Sequence, residues 1–170
     1  MKRLFLLRHA KAQPATDPMA DSERPLAERG ERDARVIGDR LRKHHRPSLI
    51  LSSPAMRALK TAELVAAAAG YAAESIARDH RLYLAEPATL IAVVAAQSAA
   101  VETLLVVGHN PGLTELTHRL FPGFDVADLP TCAIVGLEFR VAEWAATKAA
   151  TPALVYYDFP KNSRSPVTTR

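Results

Sequence analysis

Cysteine is almost absent from this chain, which has 170 residues and carries one cysteine, Cys132. A single cysteine excludes an intramolecular disulfide and a zinc site built from cysteines, so we expect Cys132 to be a small core residue. No apolar run reaches the ~20 residues of a membrane span, and the first residues lack the regions of a signal peptide. These absences predict a soluble, cytoplasmic protein without a membrane partner.

Clustered positive charge and aromatic residues are also scarce. Lys and Arg total 22 against 18 Asp and Glu, which gives a formal net charge of +4, and 6% of the residues are aromatic. Because the excess is spread along the chain, it favours an anionic ligand and predicts no nucleic-acid partner, which would need a concentrated basic face. A hydrophobic content of 48% is instead typical of a globular domain with a full core.

Apolar segments alternate with amphipathic or alanine-rich segments along the chain. The predicted strands are 1–7, 48–51, 74–78, 103–107, 133–140 and 153–159, and the predicted helices are 28–45, 54–69, 87–97 and 111–120. This alternation predicts an α/β fold, a three-layer α/β/α sandwich around a mostly parallel central sheet. We expect a single domain over 1–160 and a flexible tail over 161–170, which is polar and lacks apolar periodicity.

Arginine and histidine side chains follow three of the predicted strands. Arg8 and His9 end the first strand, Arg57 lies in the first turn of the helix after the second, and His109 follows strand 103–107. Open α/β sheets bind ligands at the carboxyl ends of their strands. Two arginines and two histidines that face one crevice would surround a tetrahedral dianion with charge-assisted hydrogen bonds.

Helix-start signals accompany two of these segments. Ser53 and Pro54 predict an N-cap and a first helical residue before Arg57, and Asn110 with Pro111 predicts the same beyond the second histidine. A cation in the first turn of a helix is unfavourable unless it shares an anion with the helix amides. The position of Arg57 therefore indicates an anion site.

These segments resemble the motifs of a known family. The sequence Leu-Leu-Arg8-His9-Ala10 is similar to the Arg-His-Gly signature of the histidine phosphatase (phosphoglycerate mutase-like) superfamily, with Ala10 in place of glycine. Segments 52–58 and 61–63 resemble its second motif, and 107–110 resembles its third. Segments 8–12, 24–26 and 108–113 look like those of the small bacterial protein phosphohistidine phosphatases within it. The resemblance covers about 1–159 and implies the phosphoglycerate mutase-like fold.

The resemblance implies a role for each residue of the cluster. His9 would be the nucleophile that takes the phosphoryl group as a phosphohistidine intermediate, Arg8 and Arg57 would hold phosphate oxygens, and His109 would donate to the same group. A neutral imidazole is a suitable nucleophile, and phosphoryl transfer depends mainly on positioning and positive charge, so we expect no metal and no other cofactor. Lys11 either extends the positive mouth as a substrate-binding residue or is a surface lysine.

This sequence differs from the larger members of the family in its general acid. Those members use a carboxylic acid to protonate an alkoxide leaving group. In segment 82–87 the one acid is Glu86, which is either that general acid or a residue that begins a helix. Imidazole is a better leaving group than alkoxide, so phosphohistidine hydrolysis can proceed without a strong acid.

Three functions remain in competition at this point. The leading prediction is a cofactor-independent phosphatase that acts on phosphohistidine in a protein, such as a phosphorelay or phosphotransfer partner, and releases phosphate. Hydrolysis of small phosphomonoesters is the alternative, but a short chain lacks the long insertions that build a closed small-molecule pocket. A non-catalytic phospho-binding module is the third, although a binder has no need of a nucleophile.

Overall fold

A computed structural model describes residues 1–167 of the chain. Its sheet strands are β1 Lys2–Arg8, β2 Leu49–Ser52, β3 Ala77–Arg78, β4 Thr103–Gly108, β5 Ile134–Phe139 and β6 Ala153–Asp158. Its α-helices are α1 Glu28–Arg42, α2 Met56–Ala69, α3 Pro87–Ala95 and α4 Gly112–Leu120. The strands form one sheet in the order β3-β2-β4-β1-β5-β6. Strands β1 to β4 are parallel, whereas β5 lies antiparallel to both β1 and β6.

The central strand β1 shows why the molecule has three layers. Leu4 and Leu6 point to one face of the sheet and pack with side chains of α3 and α4. Phe5 and Leu7 point to the opposite face and pack with α1 and α2. All four are fully buried, as expected for a parallel sheet that is covered on both sides. The predicted three-layer α/β/α sandwich around a mostly parallel sheet is therefore confirmed.

Some element boundaries differ from the sequence-based prediction. The first helix ends at Arg42 rather than at residue 45. The ring of His45 packs against that of Phe5, with the ring centroids 4.9 Å apart. The expected third strand is reduced to Ala77–Arg78. Cys132 is buried in the core, as expected. Within residues 1–167, no helix combines the length and the apolar character needed to cross a bilayer.

The segment expected to be a free tail is partly held against β6. Val167 and Tyr157 exchange two backbone hydrogen bonds of 3.1 Å. The side-chain amide of Asn162 donates to the buried carboxylate of Asp158 at 2.9 Å, and Arg40 of α1 pairs with the same carboxylate. Part of the segment therefore contacts the domain, and its expected flexibility stays a prediction. Residues 168–170 of the expected tail lie outside the described residues.

Candidate active site

The neighbouring strands β1 and β4 bring the two histidines together. Arg8 pairs with Gly108 in the parallel register, so His9 and His109 leave adjacent strand ends. The N–H of His9 donates to the carbonyl of Gly108 at 3.0 Å, and the two imidazole centroids lie 5.3 Å apart. Arg57 reaches both rings, since its Nε donates to Nε2 of His9 at 3.3 Å and its Nη2 lies 3.4 Å from Nδ1 of His109.

A cavity of about 190 Å³ opens over this cluster. Its lining residues combine the four expected side chains with a cationic and polar rim: Arg8, His9, Lys11, Ala12, Arg24, Arg57, Leu84, His109, Asn110 and Thr131. Four of these side chains are arginine or lysine, and the set contains no carboxylate. Such a lining suits an anion, because positive charge and N–H donors converge and no carboxylate lines the cavity itself.

His9 is held as a neutral imidazole with an unprotonated Nε2. Its Nδ1 lies 2.7 Å from the carbonyl oxygen of Ala10, which can only accept, so Nδ1 carries the proton. Burial is the main cause that lowers the pKa of His9 to about 4, and the nearby Arg57 and Arg8 act in the same direction. At neutral pH Nε2 is therefore unprotonated, and its lone pair accepts from Nε of Arg57.

His109 is oriented by Ser53, which the sequence predicted to be a helix cap. The ring nitrogen Nε2 of His109 lies 2.7 Å from Oγ of Ser53, and both side chains are buried. The N-cap prediction is wrong because the helix begins at Met56, and the hydroxyl of Ser53 is engaged with the imidazole. Burial, followed by the charge of His9, lowers the pKa of His109 to about 3. Because a guanidinium can only donate, Nδ1 of His109 accepts from Arg57 in this structure and Nε2–H donates to Ser53. A hydroxyl can also donate, so if an anion displaces the Arg57 contact, Ser53 can support the tautomer with the proton on Nδ1.

The guanidinium of Arg57 is held in place by the carboxylate of a loop residue, Asp21, which the sequence analysis did not identify. Its guanidinium is 3% exposed and donates to the backbone oxygen of Asp21 at 2.7 Å and to its carboxylate at 2.9 Å. The same carboxylate accepts from the hydroxyl of Tyr83 at 2.6 Å and from Arg24 at 3.2 Å. The hydrogen bond from Tyr83 is the main cause that holds the pKa of Asp21 well below its usual range. The hydrogen bonds to Asp21 direct Nε of Arg57 towards His9.

Arg8 supplies a second guanidinium with a free donor. Its Nη1 donates to the carbonyl of Leu129 and lies 3.7 Å from the carboxylate of Asp128. Its Nε is buried without a hydrogen-bond partner among the described residues. A buried unpaired donor is costly unless something satisfies it, so this arginine fits an anion site.

The main chain after His9 is fixed by Thr61, whose segment belongs to the second motif. The N–H of Ala10 donates to Oγ1 of Thr61 at 2.9 Å, and the same hydroxyl donates to the carbonyl of Arg57 at 2.7 Å. One buried threonine therefore links the residue after His9 to the first turn of α2. This link sets the relative position of the histidine and the arginine.

The remaining candidates from the sequence lie at different distances from the cluster. Lys11 is exposed and lines the cavity mouth. Glu86 is exposed, precedes α3 without a capping side-chain bond, and is not among the residues that line the cavity. Asn110 does not cap α4 as expected, since the helix begins at Gly112, but its side-chain oxygen accepts from the N–H of Thr114 at 3.3 Å.

Comparison with known proteins defines the class. The family model described as histidine phosphatase superfamily (branch 1) matches residues 4–83. The chain is 38% identical over 170 residues to the uncharacterized protein Rv1276c of Mycobacterium tuberculosis, a match that covers 91% of this chain and 100% of the relative. Together with the solved structures described next, these matches show that the chain belongs to the histidine phosphatase superfamily.

Three solved structures of similar fold carry the name SixA. A candidate phosphohistidine phosphatase SixA from Nakamurella multipartitia is 27% identical with a TM-score of 0.81, covering 94% of this chain and 96% of that chain. A second, from Agrobacterium tumefaciens, is 29% identical with a TM-score of 0.78, covering 92% and 97%. The protein histidine phosphatase SixA complexed with tungstate shares the fold at 24% identity and a TM-score of 0.79, covering 95% and 99%.

Proposed function

We propose that this protein hydrolyses phosphohistidine carried by another protein, through a covalent phosphohistidine at Nε2 of His9. The observation that carries the proposal is the state of that imidazole. Its proton is fixed on Nδ1 by the carbonyl of Ala10, its pKa is lowered to about 4, and its unprotonated Nε2 accepts from Arg57 at the cationic cavity. A buried neutral imidazole in this setting is suited to nucleophilic attack at neutral pH.

The transfer step needs no acid at the leaving nitrogen. The lone pair on Nε2 of His9 attacks phosphorus while the P–N bond to the substrate imidazole breaks. When the substrate ring carries a proton on its other nitrogen, the electron pair of that bond returns to a neutral imidazole. In the second step water attacks the phosphoenzyme, the bond to Nε2 breaks, and dihydrogen phosphate leaves. The Nδ1–H that Ala10 holds makes His9 an equally good leaving group in this step.

The side chains around His9 supply the charge that phosphoryl transfer requires. Arg57 already donates to the attacking nitrogen, and Arg8 has an unpaired donor. His109 can present Nδ1–H once the phosphoryl group displaces the donor of Arg57 from that nitrogen, while Ser53 holds the other nitrogen. A phosphoryl dianion in the cavity would replace the contact between Arg57 and His9 and accept from all three. Such preorganised donors stabilise the charge on the equatorial oxygens in the transition state.

Two observations favour a protein substrate over a small phosphomonoester. The cavity is small and open at the surface, so it would enclose a phosphoryl group and the edge of a ring rather than a whole small molecule. Glu86, the candidate general acid, is exposed and does not line the cavity. An alkoxide leaving group would therefore lack the acid that it needs. The similarity to the SixA structures supports the same choice.

The purified protein should be assayed on a phosphohistidine peptide and on p-nitrophenyl phosphate. We expect efficient release of phosphate from the peptide, abolished in His9→Ala and unchanged in the control variant His44→Ala, whose histidine is exposed and outside the cavity. Turnover of the phosphomonoester alone would support the small-molecule alternative. Phosphate binding without turnover of either substrate would indicate a phospho-binding module.

A further inference from the structure

One exposed leucine stands at the rim of the otherwise polar cavity. Leu84 lines the cavity, its side chain is 54% exposed, and its backbone has a φ of +47°. A leucine in this left-handed region carries a conformational cost that glycine or asparagine would largely avoid. A solitary exposed leucine is ordinary on a protein surface, but one that also holds an unfavourable backbone beside a reactive cluster needs a reason.

The residues on both sides of Leu84 explain how this backbone persists. Before it, the hydroxyl of Tyr83 donates to Asp21 at 2.6 Å, and its ring lies edge-on to His109 with centroids 5.5 Å apart. After it, the carbonyl of Ala85 lies so close to α4 that a Cβ on Gly112 would come within 1.9 Å of the oxygen. Both neighbours are therefore fixed by the active site and by α4, and the chain between them turns the leucine outwards.

The rim position decides what this side chain can meet. The cavity holds a phosphoryl group and the attached ring, so the residues next to a phosphohistidine must lie on the rim. Two of the other rim side chains, Lys11 and Arg24, are cationic. Leu84 is the one large apolar side chain that both lines the cavity and is exposed among the described residues. A bound polypeptide can cover it and remove its apolar surface from water.

We infer that Leu84 is a specificity-determining residue that selects phosphohistidine flanked by an apolar side chain on the partner protein. This inference rests on the proposed function, because it assigns the residue a contact with the polypeptide around the phosphorylated histidine. Leu84 takes no part in the transfer of the phosphoryl group. Its contribution lies in the binding of protein substrates and is absent for a small phosphoryl donor.

The test pairs two phosphohistidine peptides with two variants. One peptide has leucine on each side of the phosphohistidine and the other has serine. For the parent, we expect a kcat/KM about fivefold higher on the leucine peptide, expressed in KM, as burial of half a leucine side chain would give. Leu84→Asn should reduce this preference to less than about twofold. In a double-mutant cycle that combines the protein variant with the change of peptide, this reduction measures the coupling between Leu84 and the flanking leucines. The control Val36→Asn, a 40% exposed residue of α1 outside the cavity, should keep it.

Two further readouts separate a substrate contact from a structural role. Hydrolysis of phosphoramidate, which has no polypeptide, should be unchanged in Leu84→Asn, and the melting temperature should stay level or rise because asparagine tolerates positive φ. Equal rates of the parent on both peptides, or an undiminished preference in Leu84→Asn, would overturn the inference while the proposed function stands. Loss of phosphoramidate hydrolysis in Leu84→Asn would also overturn it. A parent that hydrolyses p-nitrophenyl phosphate but neither peptide would refute the proposed function itself, and the inference with it.

Discussion

Removal of the Ser53 hydroxyl should impair catalysis, although this hydroxyl contacts His109 and not the nucleophile His9. Oγ of Ser53 lies 2.7 Å from Nε2 of His109, and both side chains are buried, so water cannot easily replace the lost partner. In Ser53→Ala, Nδ1 of the imidazole still accepts from Arg57 at 3.4 Å, but the ring loses the hydroxyl that supports a proton on Nδ1 when phosphate displaces Arg57. The ring then favours the tautomer that cannot donate to a phosphoryl oxygen.

The size of the effect follows from the cost of an unpaired buried group. Leaving Nε2 of His109 without a partner should lower the free energy of unfolding by about 1–3 kcal/mol. If about 1.4–2.8 kcal/mol of donor stabilisation is lost in the transition state, kcat falls about 10- to 100-fold. The effect should appear mainly in kcat, because the donation matters most where charge develops on the phosphoryl oxygens.

Ser52→Ala is the matched control for this prediction. Ser52 is equally buried and adjacent, but its hydroxyl donates to the carbonyl of Ser53 at 2.9 Å and does not contact His109. Urea denaturation should show destabilisation in both variants, whereas the loss of kcat on a phosphohistidine peptide should be confined to Ser53→Ala. Equal kcat values in Ser53→Ala, Ser52→Ala and the parent would refute the reasoning about His109.

Three further predictions concern the leaving group, the charge and the buried imidazoles. Glu86→Gln should leave phosphohistidine hydrolysis within about tenfold of the parent, about 1.4 kcal/mol, whereas a collapse as complete as that of His9→Ala would show that the leaving-group argument is wrong. Vanadate should inhibit competitively, and EDTA should leave the activity intact, because Arg8 and Arg57 supply the positive charge. Activity that is lost in EDTA and restored by a divalent metal would contradict this prediction. Burial lowers the pKa of His9 to about 4 and of His109 to about 3 from 6.5, so the unfolded chain binds more protons below pH 6.5. The melting temperature should therefore fall as the pH is lowered from 6.5 towards 4. In His9→Gln the melting temperature should depend less steeply on pH. The same dependence on pH in the variant and the parent would count against buried neutral imidazoles.

The sequence allowed the proximity of His9 and His109 to be predicted, because strand ends are local features. Apolar runs that end in Arg8-His9 and in Gly108-His109 identify two strand termini, and parallel neighbours bring such termini to one edge of a sheet. The layers follow in the same way from the buried run of β1. These predictions needed periodicity and topology but no knowledge of side-chain partners.

The groups that orient the central residues could not be predicted, because their contacts join distant parts of the chain. Ser53 and His109 are 56 residues apart, and the local signal of Ser53 followed by Pro54 indicated a helix cap instead. Asp21 lies 36 residues from Arg57 in a polar loop, where an acid has no sequence pattern that distinguishes it. The exposure of Glu86 likewise could not be predicted, because an acid just before Pro87 is compatible both with a general acid and with a residue that begins a helix.

The most direct test of the account is to trap the phosphoenzyme and locate the phosphate. The protein should be mixed with a radiolabelled phosphohistidine peptide, quenched rapidly in alkali and mapped by mass spectrometry. The account predicts an alkali-stable, acid-labile phosphate on His9, absent from His9→Ala and present in the control variant His44→Ala. A phosphate on any other residue, or full turnover by His9→Ala, would contradict the assignment of His9 as the nucleophile.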